Sequence, residues 1–460
     1  MRINSAYTGY NFYISIGDVG IALVAVIVIL IIGFFRSNSG LKTQPLYQYY
    51  MRGLWLKLLG SLAFAMYYAN YLDGGDTVSY WYGAEALKNL FYQNPLVYFQ
   101  ELFGDTNWAD YYNHYNESTG WPPSSIYRSA RHFNTCRIAS VIAIFVPFSF
   151  IGQTFAMGFL SYGATFKLYT TFVRNFPHLE KQLRLGILYV PSVIFWCSGI
   201  MKDTIVLMGV CYIVYETDQF LSRTGKKKRF RFFFRLLFWG WLIFLVKPYV
   251  VIAMAPAWLA WMNYETIGRI KSPVLKYYLL PFLVLGTFVL AFNLYVNSSG
   301  QGEFAADNIM EKALVSRNDF ATNATYGKNR ATVEVIDNPT SDNIVRAIPE
   351  SIVMGLFRPF IWEARSPAIL ISALENFFIL AYFILALFKL KLFGLLGFIR
   401  SHPLLLFSVM FSVVLAFVVG FTTPLFGAMV RFRTPFLPFL VSFMIVAIYH
   451  IRSLPKKQYK

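Results

Sequence analysis

The sequence predicts an all-α integral membrane protein, a polytopic bundle of about eleven transmembrane helices forming one membrane domain over residues 1–460. Three observations carry that expectation. The 460 residues are 57% hydrophobic and only 14% charged, with a mean hydropathy of +0.48, whereas ordinary soluble domains carry roughly 25% charged residues. Apolar runs of about 15–22 residues recur along the chain, each long enough to span a hydrocarbon core of roughly 30 Å; residues 19–35, 275–296, 368–388 and 403–419 are examples. Basic residues gather in short clusters between such runs, at Arg36/Lys42/Arg52/Lys57, at 226–235 and at Lys456/Lys457/Lys460, the distribution of cytoplasmic topology determinants. Strands of a barrel would be shorter and alternating, so the runs are helices whose backbone is satisfied internally in lipid.

Taken in order, spans are expected near residues 18–35, 54–72, 137–173, 184–200, 203–221, 233–246, 248–262, 275–296, 367–388, 402–420 and 434–451. The first run is long and lacks a small-residue cleavage site, so it reads as a span and not as a signal peptide. Segments 36–57, 174–184, 222–235, 263–276, 389–401 and 452–460 carry Lys or Arg excess and go to the cytoplasm with the C-terminus. Two long loops, 73–136 and 297–366, then face outward. Residues 137–173 are too long for one ordinary helix and contain Gly152-Gln153-Thr154. Two full crossings there would invert everything upstream, so one crossing plus a tilted or re-entrant piece is expected.

The first outer loop is ordered by pattern. Val78, Trp81, Ala84, Leu87 and Leu90 repeat at helical spacing after Asp76. Asn94-Pro95 opens a second helix, with Asn as its cap, and Gly104 closes it. Both are too polar to span and are expected as amphipathic interfacial helices. Residues 105–127 are rich in Tyr, Asn, Asp and Trp, which suits either stacking on sugar rings or an interfacial aromatic belt. The second outer loop, polar through residues 297–349, is a lid or a solvated connector.

The formal charge of +18 suggests nucleic acid, but its scatter between apolar runs excludes a basic groove. Three cysteines (Cys136, Cys197, Cys211) in apolar settings make neither a disulfide framework nor a metal site. The five histidines show no HxH or HExxH spacing, and no metal ligand is assigned from them. No internal repeat or low-complexity tract stands out.

The informative charges lie at the outer side or within apolar runs, where a cation costs several kcal/mol unless paired, hydrated or bound to an anion. They are Lys202, beside Asp203 at the end of Phe195-Trp196-Cys197-Ser198-Gly199-Ile200-Met201; Lys247, followed by Pro248; Arg358, with Glu363 and Arg365 after it; and Arg431 and Arg433 before the last span. Arg128, Arg131 and Arg137 end the first loop. All approach the same outer face in this topology. The anionic headgroup of a lipid phosphate is a partner for such a set, Arg offering a planar donor fork and Lys a point charge. Snorkelling or local pairing, Lys202 with Asp203 and Arg365 with Glu363, is the structural alternative. Among acids, Asp73 and Asp76 flank Gly74-Gly75 directly after the second span. A glycine turn lets backbone approach a ligand, and an Asp there serves as a general base; Asp76 equally fits the N-cap of the following helix. The two acids together make a divalent metal possible.

Asp73 and Asp76 in a large outer loop with interfacial helices and many later spans resemble the GT-C class of membrane glycosyltransferases. The phrases Pro191-Ser192-Val193-Ile194-Phe195-Trp196 with Lys202-Asp203, and Arg431-Phe432-Arg433-Thr434-Pro435-Phe436-Leu437-Pro438, are similar to phrases of bacterial cell-surface polysaccharide proteins, O-antigen-polymerase-like proteins among them. The acidic loop follows the second span, whereas that class commonly places it after the first. The resemblance implies a polyprenyl-phosphate-linked sugar donor and inverting transfer at the outer face. Asp76 or Asp73 is then the base, and Lys202, Lys247, Arg358, Arg365, Arg431 and Arg433 are phosphate-side candidates. Tyr80, Trp81, Arg128 and Arg131 are acceptor or loop contacts. The expected partners are a lipid-linked donor and membrane lipid, in a bacterial plasma membrane, where the sequons at Asn116 and Asn323 carry no meaning. The site is expected where the first-loop acids meet the basic residues before the last spans. Two other functions compete: a polysaccharide polymerase or ligase relying on the arginines, and a transporter or flippase, for which Lys247-Pro248 is one candidate helix break.

Overall fold

The computed structural model describes residues 2–4, 11–72, 74–222, 226–264, 306–323, 329–333, 335–336 and 341–449. Asp73, the expected span at 275–296 and the basic cluster Lys456/Lys457/Lys460 lie outside the described residues. The described chain is all-helical apart from one short antiparallel pair, β1 (Arg2–Asn4) with β2 (Asn11–Tyr13), in which Ile3 faces Phe12.

The helices run α1 (Ile16–Leu41), α2 (Tyr50–Asn70), α3 (Asp76–Gln93), α4 (Pro95–Phe103), α5 (Trp108–His114), α6 (Ser124–Tyr127), α7 (Ala130–Phe145) and α8 (Phe150–Asn175). They continue as α9 (Glu180–Ile187), α10 (Pro191–Trp196), α11 (Lys202–Leu221), α12 (Lys226–Val246) and α13 (Pro248–Met262). The last are α14 (Ala306–Thr322), α15 (Ser341–Phe357), α16 (Pro367–Ser401), α17 (Pro403–Thr422), α18 (Phe426–Phe432) and α19 (Leu437–Tyr449).

Among the described residues, α1, residues Ile369–Lys391 of α16, and α17 are long and apolar enough to cross a bilayer. The bent pairs α7/α8 and α18/α19 bring the number to five if each is one span. α1 displays the inverted pattern of a lipid-exposed helix. Its buried positions are Asp18, Ala22, Ile29, Gly33 and Ser37, mostly small or polar, while Leu23, Val24, Ile27, Ile31 and Phe35 point outward. In water that arrangement would expose a large contiguous apolar face; in lipid the outward apolar face costs nothing and small residues serve helix contact.

Two compact units divide the chain, one of Met1–Thr171, Val193–Glu216 and Phe233–Lys247, the other of Phe172–Ser192, Thr217–Phe232 and Pro248–Lys460. In the first unit α2 packs closely on the α10 segment. A Cβ on Gly60 would stand 2.4 Å from the Ile194 carbonyl oxygen, so only glycine allows the approach. The Lys57 ammonium, buried within α2, donates to the Val193 carbonyl at 2.9 Å. Lys57 is therefore an internal strut, which corrects its assignment to a solvated cytoplasmic cluster.

α3 carries the expected stripe: Val78, Ala84, Leu87 and Leu90 are buried, with Trp81 half-buried, and the helix packs on α7. The expected irregularity in 137–173 exists, but it lies ahead of Gly152. α7 and α8 meet at 106° across Val146-Pro147-Phe148-Ser149, where Phe148 is left-handed (φ 61°). Pro147 removes a donor and ends one helix; Ser149 Oγ accepts from Gly152 N at 2.8 Å and starts the other. Glu85 Oε1 accepts from Phe148 N and from Gln153 Nε2, at 3.3 and 2.6 Å, and its other oxygen pairs with the buried Lys88 at 2.5 Å. One backbone donor of the bend, Phe148 N, is thereby satisfied from α3.

In the second unit α15 and α17 are in near contact. Cβ atoms on Gly355 and Gly420 would stand 2.0 Å from the carbonyl oxygens of Ala416 and Ser351 respectively, a reciprocal small-residue crossing. The expected single span at 184–200 is instead α9, a break at Leu188–Val190 and the short α10, because Pro191 can open a helix but not continue one. Within residues 297–366, expected as a second outer loop, residues 306–322 and 341–357 are helical.

Candidate functional site

In the first unit the chain leaves α2 through Gly74 and Gly75, both at positive φ (118° and 87°), a conformation glycine adopts without a Cβ penalty. Gly75, and not Asp76, is the N-cap of α3. Asp76 is the first helical residue, half-buried, at the positive end of the helix dipole, which favours its carboxylate.

One turn further, the buried Tyr80 hydroxyl lies 2.8 Å from His132 Nδ1 on α7. Lys202, the first residue of α11, stands over the Tyr80 ring at 6.0 Å. Asp76, Arg131 and Lys202 all act electrostatically on the His132 ring. Burial, reinforced by Lys247, pushes the Lys202 ammonium down to about 7, while Asp76 and Asp203 pull it back. Asp76, Tyr80, Arg131, His132 and Lys202 thus form one neighbourhood around the start of α3. His132 was missed in the sequence because a single histidine near a span has no recognisable spacing.

Lys247 belongs to the same unit but is engaged. Its ammonium lies 2.5 Å from Asp203 Oδ1, both side chains almost wholly buried. The local pairing of Lys202 with Asp203, the alternative to anion binding, gives way to another: Asp203 is Lys247's partner, and Lys202 stands over Tyr80. Lys247 directly follows α12, and Pro248 at the first turn of α13 breaks what would be one apolar run. Arg128 is exposed and lies 5.9 Å from the Trp108 ring centroid, while Arg137 is tied to Asn134 and the Gly104 carbonyl. Three of the six aromatics at 105–127 are core, Tyr111, Tyr115 and Tyr127 being buried against one another, whereas Trp108 and Tyr112 are exposed and Trp121 is half-buried.

The second unit holds the other arginines, in unlike states. Arg358 is bound by Glu363, its Nε at 2.9 and 3.1 Å from the two carboxylate oxygens and its Nη2 also on Oε1. Glu363 thus pairs with Arg358 and not, as the alternative to anion binding had it, with Arg365, which is exposed. Arg431 is half-buried. Arg433 is fully buried, donates from Nη1 to the Arg358 carbonyl at 3.2 Å, and has two further nitrogens, Nε and Nη2, with no hydrogen-bond partner among the described residues. Glu375 on α16 lies within electrostatic reach of Arg433 and takes Ser192 N and Oγ at 2.9 and 2.7 Å. Glu375 is the single acid of the apolar run 368–388, a position where a carboxylate is costly and so carries a sequence signal.

Comparison with protein-family models, curated proteins and solved structures finds no match to this chain.

Proposed function

We propose that the protein is a membrane glycosyltransferase that moves a sugar from a polyprenyl-phosphate-type donor to an acceptor hydroxyl, the described apolar helices being part of a bundle of about eleven spans. The observation that carries this reading is the association of Asp76 with Lys202, Arg131 and His132 at the start of α3. It provides, within one unit, a carboxylate to take a proton and a half-buried cation to meet a phosphate.

In the reaction Asp76 accepts the proton of the acceptor hydroxyl. The acceptor oxygen forms the new bond to the anomeric carbon as the bond from that carbon to the phosphate oxygen breaks. The electron pair leaves with the lipid phosphate, and charge developing there is stabilised by Lys202 and Arg131. The proton ends on Asp76 and the anomeric configuration inverts.

The test uses the full chain in nanodiscs with a polyprenyl phosphate carrying a radiolabelled hexose and candidate acceptors, the readout being labelled glycan. Asp76→Asn is expected to lower turnover by about 10²–10⁴-fold with the fold intact. Unchanged turnover in that variant refutes the assignment of the base.

A second reading, a polysaccharide polymerase or ligase, is favoured by one observation: the buried Arg433 guanidinium with two unpartnered nitrogens. Product formation that survives Asp76→Asn and is lost in Arg433→Lys selects that reading. Labelled glycan in either assay excludes a purely transporting protein.

A further inference from the structure

The first outer loop contains a cluster that the glycosyl-transfer reading does not use. Glu101 on α4 is buried, and its Oε1 lies 2.7 Å from His114 Nδ1 on α5. The hydroxyls of Tyr127 and Tyr115 donate to Oε1 and Oε2, at 3.4 and 3.3 Å. A carboxylate oxygen only accepts, so Nδ1–H of His114 donates to Glu101, the tautomer that leaves the Nε2 lone pair of a neutral imidazole free for a ligand.

Nε2 faces Asp110, four residues earlier on the same helix, with Oδ1 at 3.9 Å. Asn107 caps α5, its Oδ1 accepting from Asp110 N at 2.8 Å, and its amide also touches Asp110 Oδ2. Asp110 is therefore held in place from the turn before it. Glu101, Asp105, Asp110 and His114 all line one cavity of about 480 Å³. Glu101, Asp110 and His114 can each present a ligand atom within 4.8 Å of the others.

A carboxylate behind one nitrogen of an imidazole, with the second nitrogen turned toward another oxygen ligand, is the arrangement by which proteins orient histidine for a metal. Bonds of about 2.0–2.2 Å from histidine nitrogen and carboxylate oxygen sum to more than the 3.9 Å separation, so one ion reaches both atoms from where they stand. The imidazole donor selects Zn²⁺ or a similar transition ion over Mg²⁺ and Ca²⁺, which prefer all-oxygen sites.

We propose that Asp110 and His114 bind a divalent transition-metal ion of the Zn²⁺ type, with Glu101 as the positioning residue and the remaining coordination positions open to the cavity. An oxygen ligand, water or a hydroxyl or phosphate oxygen of a bound molecule, completes the sphere. Aspartate and histidine at i and i+4 of one helix turn were the sequence signal for this site.

The experiment is Zn²⁺ titration of the full chain in detergent after chelator treatment and dialysis, read by isothermal calorimetry. The expected result is one ion per chain at micromolar affinity, with Asp110→Asn and His114→Asn each abolishing it. His114→Asn keeps an amide donor to Glu101 while deleting the Nε2 ligand, and Asp110 lies at the surface, so neither needs the core to repack. Glu101→Gln is expected to weaken binding by about 10–100-fold. Absence of stoichiometric binding in the wild type overturns the proposal. So does binding that persists unchanged in both ligand variants, which would mark it as adventitious. The readout is binding alone, so it stands or falls separately from glycosyl transfer.

Discussion

Replacing Asp203 by Asn removes the charge that neutralises Lys247 in the first unit. The two groups are 2.5 Å apart, with side chains 2% and 7% exposed. At an effective dielectric of about 20, unit charges at that separation attract by roughly 6–7 kcal/mol. Desolvating both ions takes back several kcal/mol, so the intact pair contributes little net stability. The single variant is different, because the buried ammonium keeps its desolvation cost and loses the short pair. Such a loss costs about 3–5 kcal/mol, enough to consume a large share of the roughly 5–15 kcal/mol that stabilises an ordinary domain. The double variant Asp203→Leu/Lys247→Met removes both charges and is expected within about 1–2 kcal/mol of wild type. Reversible unfolding of the full chain in mixed detergent measures all of these variants, with the singles Asp203→Leu and Lys247→Met closing the double-mutant cycle. If Asp203→Asn costs under about 1 kcal/mol, or if the double variant costs the sum of its singles, the pair is not the buried, coupled unit described.

Other expectations follow from the same packing and charges. Turnover supported by Lys202 should fall as pH rises through about 7, since the ammonium is charged below that value and neutral above it; Lys202→Arg, permanently charged, should move that limb to higher pH. Lys57→Met should lower unfolding stability by about 1–3 kcal/mol, because the buried Val193 carbonyl loses its side-chain donor. Gly355→Leu should destabilise the protein by about 1–3 kcal/mol or more through overpacking against Ala416, while an exposed change such as Leu23→Ile on α1 should be silent in the same unfolding assay.

Membrane character, helix type and several boundaries were legible from the sequence because they depend on local properties. Run length against bilayer thickness, Asn94-Pro95 and Gly104 around α4, and the period of Val78, Ala84, Leu87 and Leu90 on α3 all act within a few residues of themselves. The errors came where a local signal was read at the wrong residue. Pro147 and Ser149 mark the α7/α8 bend, and Pro191 divides 184–200. Each was visible, but apolar run length outweighed it.

The partners of the charges were not legible in that way. Asp203 is adjacent in sequence to Lys202 yet bonds Lys247, and Glu363 bonds Arg358 and not Arg365. Lys57 belongs by position to a basic cluster but donates to a carbonyl 136 residues away. Glu101, Asp110 and His114 converge only because α4 and α5 fold back on each other after Gly104. The sequence by itself determines which residues are too apolar for water and which charges are too costly to leave alone in lipid, since both follow from transfer energies of single residues. Which counter-charge satisfies each of them is decided by the tertiary structure, because an ion pair is set by a distance of a few ångströms that sequence separation does not specify.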